Sequence, residues 1–565
     1  MAASREKQAN RRIRLLLALF VLVFAALLGR GFWIQGVQAG RLAKLAQGQH
    51  QKQITTPAGR GTIFDRNGIQ LAIGVQMTTV FADPQQVANA SGIAIAAHKA
   101  FGVDSNSLYP ALLNKKSQFV YVKRFADPTK AALFLKKGFA GVSSYQEEKR
   151  AYPQGGVGSQ LIGYAGVDNR GLGGLEFEYD HKLAGHSGKQ IVVRDATGRS
   201  ISVISSSPVQ EGADVFTTID HTIQANAEEV LRATVSKWGA QSATAIVLDP
   251  TTGEVLAMAQ APGYNANDTS NVNAALTRNR AVTDTYEPGS TFKLVTVTGV
   301  LSEGLVKPTT RFSLPTCIQV ANYCIHDAEQ RGVVNYSVAQ ILEYSSNVGA
   351  ITLAEKLGTP SLARWIDRFG FGHATGIDYP GETPGMVLPL LQWSGSTIGN
   401  VPIGQGIGVT AIQMASVYAA VANSGVWVQP HLVSRVGGRA PFTPKRRRII
   451  SPGIDREVKA MLKDVVLGGT GTAAAIPGYT VAGKTGTGSI PGPHGYVDST
   501  GYMASFVGMV PASKPRLVVL VVVDRPRGAI YGGTVAAPAF QEIAKFDLQY
   551  LGVTPDAPRT ALSAG

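Results

Sequence analysis

Ser290-Thr291-Phe292-Lys293 is the stretch of this 565-residue chain from which the rest is best interpreted. Alone it carries little information, because Ser4-Arg5-Glu6-Lys7 fits the same Ser-x-x-Lys pattern. Two further motifs follow it in chain order, Ser345-Ser346-Asn347 and Lys484-Thr485-Gly486-Thr487. In this order, S-x-x-K, S-x-N and K-T-G make up the motif set of acyl-transfer sites in which a serine attacks and a lysine is its basic partner. The set therefore predicts a serine acyl-transfer site.

The first motif is expected to open a helix. Pro288-Gly289 precedes Ser290, and an apolar run follows it to Leu301. At a helix N-terminus the dipole favours negative charge on the Ser290 oxygen. Lys293 comes one turn later on the same face, so its amine would reach the Ser290 hydroxyl, and a dry pocket would lower its pKa toward that of a general base. A helix-capping serine followed by a solvent-exposed lysine is the plainer alternative.

The second motif stands between two helical stretches. Ser345 is predicted to relay the proton between Lys293 and the leaving amine, and the Asn347 amide to bind a peptide carbonyl of the substrate. Taken alone, Ser345-Ser346-Asn347 is more typical of a simple helix cap.

The third motif ends an apolar strand. Gly486 has no side chain, so an extended peptide would lie against this strand edge as an added strand. Lys484 would supply positive charge, and Thr485 and Thr487 would supply hydroxyls, for a substrate carboxylate. The backbone N–H groups of Thr487 and Ser290 would together form an oxyanion hole. An ordinary glycine-containing strand end is the alternative for this motif alone.

Composition limits the class of protein. Hydrophobic residues make up 44% of the chain and charged residues 16%, which is typical of a folded protein, and the length calls for two or more folded units. The 53 basic and 38 acidic residues give a net charge of +15, which favours anionic partners such as a membrane surface or cell wall. The basic residues are scattered, and no nucleic-acid motif is found. The dense run Lys445-Arg446-Arg447-Arg448 is interpreted as a solvated loop.

Cysteine is rare in this chain. Cys317 and Cys324 are the only two, which excludes a disulfide-rich scaffold and a cysteine-based zinc site. A hairpin disulfide and a pair of free, buried thiols both remain open.

The N-terminus predicts a membrane anchor. Residues 15–28 form an uninterrupted apolar run, and its extension to Ile34 reaches the roughly 20 residues that a bilayer requires. Basic residues at positions 5, 7, 11, 12 and 14 place residues 1–14 in the cytoplasm and the chain after about residue 35 outside. A cleaved signal peptide is the alternative, although no clean cleavage site follows the run.

The order of elements predicts an α+β fold. Residues 244–249 and 254–259 read as a hairpin of apolar strands, and strands return at 479–486, 502–510 and 517–524 after a long segment expected to be mainly helical. Strands first and last with helices between predict one antiparallel sheet flanked by helices. The predicted parts are a cytoplasmic tail (1–14), a transmembrane helix (15–34), a non-catalytic mixed α/β pedestal (35–210), a catalytic domain (211–552) and a C-terminal tail (553–565).

Together with their flanking residues, the three motifs resemble those of class B penicillin-binding proteins. The resemblance covers nearly the whole chain, including stretches in the predicted pedestal. The residues that carry it outside the motifs are Tyr286-Glu287-Pro288-Gly289, Ala482-Gly483, Arg60-Gly61-Thr62-Ile63-Phe64-Asp65-Arg66-Asn67-Gly68, Arg150-Ala151-Tyr152-Pro153 and Gly171-Leu172-Gly173-Gly174-Leu175-Glu176. The Cys317 and Cys324 pair departs from the family pattern.

The resemblance implies a D,D-transpeptidase that cross-links peptidoglycan stem peptides, is acylated by β-lactams and needs no metal or organic cofactor. It also implies an FtsW/RodA-type membrane glycosyltransferase as partner, because no glycan-polymerising domain is visible, together with other divisome membrane proteins. Val80-Phe81-Ala82-Asp83-Pro84, soon after the Arg60 signature, is most similar to the septal FtsI type. An elongation-type enzyme is the close alternative. D,D-carboxypeptidases, β-lactamases and a non-catalytic β-lactam sensor or scaffold are more distant ones.

Overall fold

The computed structural model describes residues 2–42, 51–194, 200–270, 272–496 and 500–557. The chain divides into two compact units. The first combines Met1–Ala58 with Gly185–Glu211, and the second combines Gly59–Ala184 with Gly212–Gly565. The boundaries proposed between pedestal, catalytic domain and tail stay a prediction, and residues 558–565 of that tail lie outside the described residues.

The first unit contains the apolar N-terminal helix. Ala2–Phe32 is one continuous α-helix, and Trp33–Val37 continues it as a π-helical turn. Its large apolar side chains are exposed, and Glu6–Val37 is long and apolar enough to cross a bilayer, which confirms the predicted N-terminal apolar helix. The same unit holds a three-stranded antiparallel sheet. In it, Gly188–Arg194 lies between Gln51–Thr56 and Ser200–Ser207.

Within the second unit, a six-stranded sheet joins the pedestal residues to the catalytic residues. Val215–Thr217 pairs in parallel with Ile63–Phe64 on one side and antiparallel with Val433–Val436 on the other. Backbone hydrogen bonds therefore join three segments that are far apart in the sequence. The strands in spatial order are Val433–Val436, Val215–Thr217, Ile63–Phe64, Gln70–Ala82 and Val120–Ala126, with Val142–Ala151 also paired to Gln70–Ala82.

Three helices cover the pedestal strands. Each begins after a residue that caps it, because the side chains of Asn89, Asp104 and Asp127 accept backbone N–H groups of the first turn. Their apolar faces share one core that includes Ile93 and Phe134. The pedestal helices, with the three short ones that follow, are Ala90–Phe101, Ser105–Leu113, Pro128–Leu135, Ser159–Ile162, Gly174–Glu178 and Asp180–Leu183.

A buried ion network holds the pedestal segments together. Glu176 is fully buried, and its carboxylate accepts from Arg60 Nε and from Arg150 Nε, each at 2.6 Å. Arg60 also contacts Asp180 at 2.6 Å. Arg60, Arg150 and Glu176 come from three of the stretches that carry the family resemblance. The resemblance outside the catalytic motifs thus coincides with a structural network.

Glu176→Ala is expected to destabilise the pedestal by about 3–5 kcal/mol, because it leaves the buried Arg150 without a counter-charge and Arg60 with Asp180 alone. The free energy of unfolding, measured by urea denaturation of the detergent-solubilised chain, checks this. Glu178→Ala is the matched control, since Glu178 is exposed only two residues away. Equal stability of the two variants would contradict the expected role of the network.

A five-stranded antiparallel sheet forms the centre of the catalytic part. Leu517–Asp524 is buried along its whole length, as its apolar sequence predicts. Its Val519, Val521 and Val523 face one apolar core, whereas Val518, Leu520 and Val522 face the other. The strands in spatial order are Val255–Ala261, Ser242–Leu248, Leu517–Asp524, Gly501–Val510 and Ala482–Ile490.

Helices cover both faces of this sheet, which confirms the predicted α+β transpeptidase fold. Residues of His221–Trp238 and Gly532–Tyr550 pack into one of the two cores, and residues of Lys293–Ser302 and Ala411–Ala422 into the other. The remaining α-helices are Ala274–Thr277, Arg280–Thr283, Val338–Glu343, Asn347–Leu357, Thr359–Phe369, Thr397–Asn400 and Pro452–Leu467, with short 3₁₀ turns at Gly289–Phe292, Leu390–Gln392, Val401–Ile403 and Thr472–Ala474.

One expectation for this part is confirmed and one is wrong. Helices predominate in the segment expected to be mainly helical, although it also contains short strands that lie outside the central sheet. Arg446–Arg448, interpreted as loop, is one of them and pairs with Val426–Val428, although its side chains are solvent-exposed as expected. Strands of three or four residues are too short to show an alternating pattern. These strands are Arg311–Leu314, Cys317–Val320, Tyr323–His326, Val334–Ser337, Val426–Val428, Val433–Val436 and Arg446–Arg448.

Candidate active site

Ser290 lies in a tight turn that leads into a helix. Gly289–Phe292 is a 3₁₀ turn, and the α-helix Lys293–Ser302 (the Lys293 helix) continues it, as the sequence predicts. Gly289 has φ 56°, and a Cβ added there would overlap the backbone of Thr487. Its N–H donates to the Gly404 carbonyl at 3.1 Å. Glycine at this position therefore lets the Ser290 turn approach the third motif closely.

The Lys293 amine is fully buried and faces the second motif. Nζ donates to the Ser345 carbonyl, to Asn347 Oδ1 at 2.8 Å and to Ser345 Oγ at 3.3 Å. The alternative of a helix-capping serine followed by a solvent-exposed Lys293 is therefore wrong. The amine comes one turn after Ser290, and in the described residues its hydrogen bonds go to Ser345 and Asn347.

Ser345 lies between two amines. Its Oγ accepts from Lys484 Nζ at 2.9 Å as well as from Lys293 Nζ. Lys484 is fully buried too. Ser345 has φ 59°, a left-handed conformation that residues other than glycine adopt rarely and that is concentrated at functional sites. The three sequence motifs therefore meet at this one hydroxyl.

Burial changes the ionisation of both lysines. Desolvation lowers the pKa of Lys293 to about 7, against the opposing effect of the Asp327 carboxylate, which raises it. Desolvation, and then the charge of Lys293, hold the pKa of Lys484 well below its usual range. Each charged amine disfavours charge on the other in this dry site, so their proximity favours a neutral, basic amine.

The third motif lies on an edge strand of the central sheet, Ala482–Ile490 (the Lys484 strand). The Thr485 hydroxyl contacts Thr470 Oγ1 at 2.8 Å, and Thr487 Oγ1 accepts from Gly532 N–H at 3.2 Å. A Cβ at Gly486 would lie within 2.7 Å of the Pro288 carbonyl oxygen. The absence of a side chain at Gly486 is thus already required by the Ser290 turn, whatever peptide binds alongside.

Sequence reasoning missed the residues that hold the second motif in place. The Asp327 carboxylate accepts from Ser346 Oγ at 2.9 Å and from Val348 N–H at 2.9 Å. The His326 carbonyl accepts from Asn347 Nδ2 at 3.0 Å. A single aspartate in a polar stretch gives no signal of its own, since only the fold brings it to the motif.

His326 ends a hairpin closed by a disulfide, and Asp327 follows it directly. Cys317–Val320 and Tyr323–His326 (together the cysteine hairpin) pair antiparallel, and Cys317 is bonded to Cys324. Of the two states left open for the cysteines, the structure has the disulfide.

Among the described residues, two clusters have the spacing of metal ligands, but most of their ligand atoms already have partners. Cys317 and Cys324 lie close to His326, yet their sulfurs are in the disulfide. In the second cluster, Asp65 and Asp220 lie close to His221, but both carboxylates already accept hydrogen bonds from backbone N–H groups. Neither arrangement fits an open catalytic metal site.

The site can be compared with known proteins. Residues 243–545 match the penicillin binding protein transpeptidase domain, and residues 55–217 match the penicillin-binding protein dimerisation domain. Peptidoglycan D,D-transpeptidase FtsI of Escherichia coli K12 is 35% identical, over 98% of this chain and 95% of that protein. The chain belongs to the class B penicillin-binding proteins. The family resemblance seen in the motifs is confirmed.

Other relatives of this penicillin-binding protein match it over a similar length. Penicillin-binding protein PbpB of Mycolicibacterium smegmatis is 33% identical over 94% of this chain and 88% of its own. The crystal structure of penicillin-binding protein 3 of Mycobacterium tuberculosis, complexed with aztreonam, has a TM-score of 0.70 at 30% identity. It covers 90% of this chain and 99% of that chain. Fold and family therefore agree along almost the entire sequence.

Proposed function

We propose that this penicillin-binding protein is a septal peptidoglycan D,D-transpeptidase that works through a Ser290 acyl-enzyme. The observation that carries the proposal is the convergence of two buried lysine amines, Lys293 and Lys484, on the Ser345 hydroxyl beside the Ser290 turn. Among the described residues neither amine forms a salt bridge with a carboxylate, and burying two amines in this way is costly for stability, so it points to a catalytic use.

In the acylation step, Ser290 Oγ attacks the carbonyl carbon between the two terminal D-alanines of a stem peptide. The neutral Lys293 amine accepts the hydroxyl proton, and the N–H groups of Ser290 and Thr487 stabilise the oxyanion. The C–N bond then breaks, and Ser345 passes the proton from Lys293 to the departing D-alanine amine. Ser290 is left as an ester of the shortened stem peptide.

In the second step, the amine of a neighbouring stem peptide attacks the carbonyl carbon of this ester and forms the cross-link. The C–O bond to Ser290 breaks, and a proton from the attacking amine goes to Ser290 Oγ. The site binds the substrate through the substrate's backbone and its terminal carboxylate. Asn347 binds a peptide carbonyl, Lys484 supplies positive charge, and Thr485 and Thr487 bind the terminal carboxylate. Gly486 lies on the strand edge along which the peptide extends.

Acylation is expected to depend on pH through Lys293. Burial lowers the pKa of its amine to about 7, so the neutral, basic form is lost as the pH falls below that value. The second-order rate constant of labelling by a fluorescent penicillin should therefore rise about tenfold per pH unit below 7 and level off above it. Stopped-flow measurements between pH 5 and pH 9, with a pH-independent fluorophore, check this. A rate already on its plateau at pH 5 would exclude Lys293 as the base.

The proposal extends to place and partners. The apolar N-terminal helix follows several basic residues, which supports a single span with the N-terminus in the cytoplasm and the catalytic part outside. The septal role is supported by the similarity to FtsI across the whole chain. An FtsW/RodA-type glycosyltransferase would then supply the glycan strands, with other divisome membrane proteins at the same place.

Two measurements test the function. The purified full-length protein, incubated with lipid-linked disaccharide pentapeptide and a glycosyltransferase, should release one D-alanine for each cross-link formed. Release of D-alanine without cross-links would indicate a carboxypeptidase instead. A fluorescent fusion in dividing cells should form midcell rings, whereas patches along the side wall would indicate the elongation role.

A further inference from the structure

The second motif has a backbone conformation that needs support. Ser345 has φ 59°, and its hydroxyl must stay between the amines of Lys293 and Lys484. Asn347 must at the same time present Oδ1 to Lys293, 2.8 Å away. Backbone hydrogen bonds to the preceding helix, Val338–Glu343, hold this turn, and side-chain contacts add to them.

Asp327 supplies several of those side-chain contacts. Its carboxylate accepts from the Ser346 hydroxyl at 2.9 and 3.0 Å and from the Val348 N–H at 2.9 Å. Arg331 Nε donates to the same carboxylate at 2.6 Å. Charge-assisted hydrogen bonds of this kind are the stronger ones in proteins. Asp327 thus holds both residues that flank Asn347, while its neighbour His326 holds the Asn347 amide through a carbonyl oxygen.

The cysteine hairpin fixes Asp327 in turn. His326 is the last residue of the hairpin and pairs with Cys317, whose disulfide to Cys324 closes the two strands. On the side away from the disulfide, Val320 packs with Ala350 and Ile351 of the helix that begins at Asn347. The disulfide therefore closes the hairpin, and the packing of Val320 keeps the hairpin against the helix that begins in the second motif.

We propose that Asp327 is a positioning residue for acylation, and that the cysteine hairpin supports it only in the disulfide-bonded state. The inference rests on the proposed function and adds a residue and a redox requirement to the same site. With the disulfide reduced, the hairpin would keep its few backbone hydrogen bonds and the packing of Val320, but strand pairs this short are marginal by themselves, so its end would be held less firmly. Asp327 would then release Ser346, and the Ser345 hydroxyl would leave the two amines.

Asp327→Asn tests the first part. The amide keeps the size of the side chain but loses its charge and one acceptor oxygen. We expect the acylation rate constant to fall about 10- to 100-fold, as for the loss of charge-assisted hydrogen bonds at one carboxylate. Glu329→Gln makes the same change on an exposed side chain two residues away and should leave the rate unchanged.

The pH profile separates positioning from simple loss of stability. Among the described residues, two charged groups act on the Lys293 amine: the Asp327 carboxylate, which raises its pKa, and the neighbouring Lys484 amine. Arg331 forms an ion pair with Asp327. Without the carboxylate, the Lys293 pKa falls, so the acid limb of the acylation profile should move to lower pH. An unchanged profile together with an unchanged rate would overturn the role of Asp327.

Reduction of the disulfide tests the second part without any substitution. The chain has only two cysteines, so a phosphine reductant, which gives two electrons and is oxidised to its oxide, changes this bond alone. Acylation should slow at least tenfold and recover on reoxidation, and Cys317→Ser/Cys324→Ser should match the reduced protein. Full acylation of the reduced protein would overturn the redox requirement. Failure of the untreated protein to label at Ser290 would instead refute the proposed function.

Discussion

Replacing Ser290 by alanine is expected to abolish covalent labelling by a fluorescent penicillin and to lower the cross-linking rate by roughly 10⁴-fold or more. The side chain removed is the one that forms the ester. Lys293 and Lys484 remain buried in the variant with their contacts to Ser345 intact. Labelling on a gel, followed by mass mapping of the modified peptide, measures the outcome.

Ser302→Ala is the matched control for Ser290→Ala. Ser302 ends the same helix, and its hydroxyl has no hydrogen-bond partner among the described residues. Its loss should change neither labelling nor the midpoint of thermal unfolding. Undiminished labelling of Ser290→Ala would place the acyl group on another residue and refute the proposed mechanism.

Lys293→Met is expected to lower the acylation rate by roughly 10²- to 10⁴-fold, the usual contribution of a general base. Methionine fills most of the volume of the lysine side chain without bringing an amine into a dry site. The variant should therefore unfold at the same temperature as the parent or at a higher one. Loss of activity with retained stability is the result that distinguishes a base from a structural residue.

Lys307→Met removes an exposed lysine just beyond the same helix and should leave both activity and stability unchanged. If Lys293→Met kept its acylation rate, the base would have to be another amine. Lys484 would be the first candidate, because its pKa is also lowered by burial and it contacts the same Ser345 hydroxyl.

The sequence predicted those parts of the protein that have a local signal. The hairpin of the central sheet was expected at residues 244–249 and 254–259 and lies at Ser242–Leu248 and Val255–Ala261. Apolar runs of this length can be recognised without knowing their partners. The three motifs were recognised because their residue types, order and flanking residues are specific, and the structure brings all three together.

The residues that shape the site could not be predicted in this way. Tyr418 donates its hydroxyl to the Thr291 carbonyl at 2.9 Å across 127 residues of chain. Asp327 reaches the second motif from the end of a hairpin whose strands have four residues each. Such contacts depend on tertiary packing, so neither hydrophobic period nor local propensity indicates them.

The sheet that joins the pedestal to the catalytic residues also sets an order for folding. Val215–Thr217 cannot complete its hydrogen bonds until Val433–Val436 has been made, and Ser434 contacts Phe216 across 218 residues of chain. Because the chain is synthesised from its N-terminus, the earlier strand emerges with one edge unpaired. Exposed strand edges are sites of misassembly. Synthesis of this protein therefore passes through an interval in which that edge must be shielded, and the interval lasts as long as synthesis of the intervening chain.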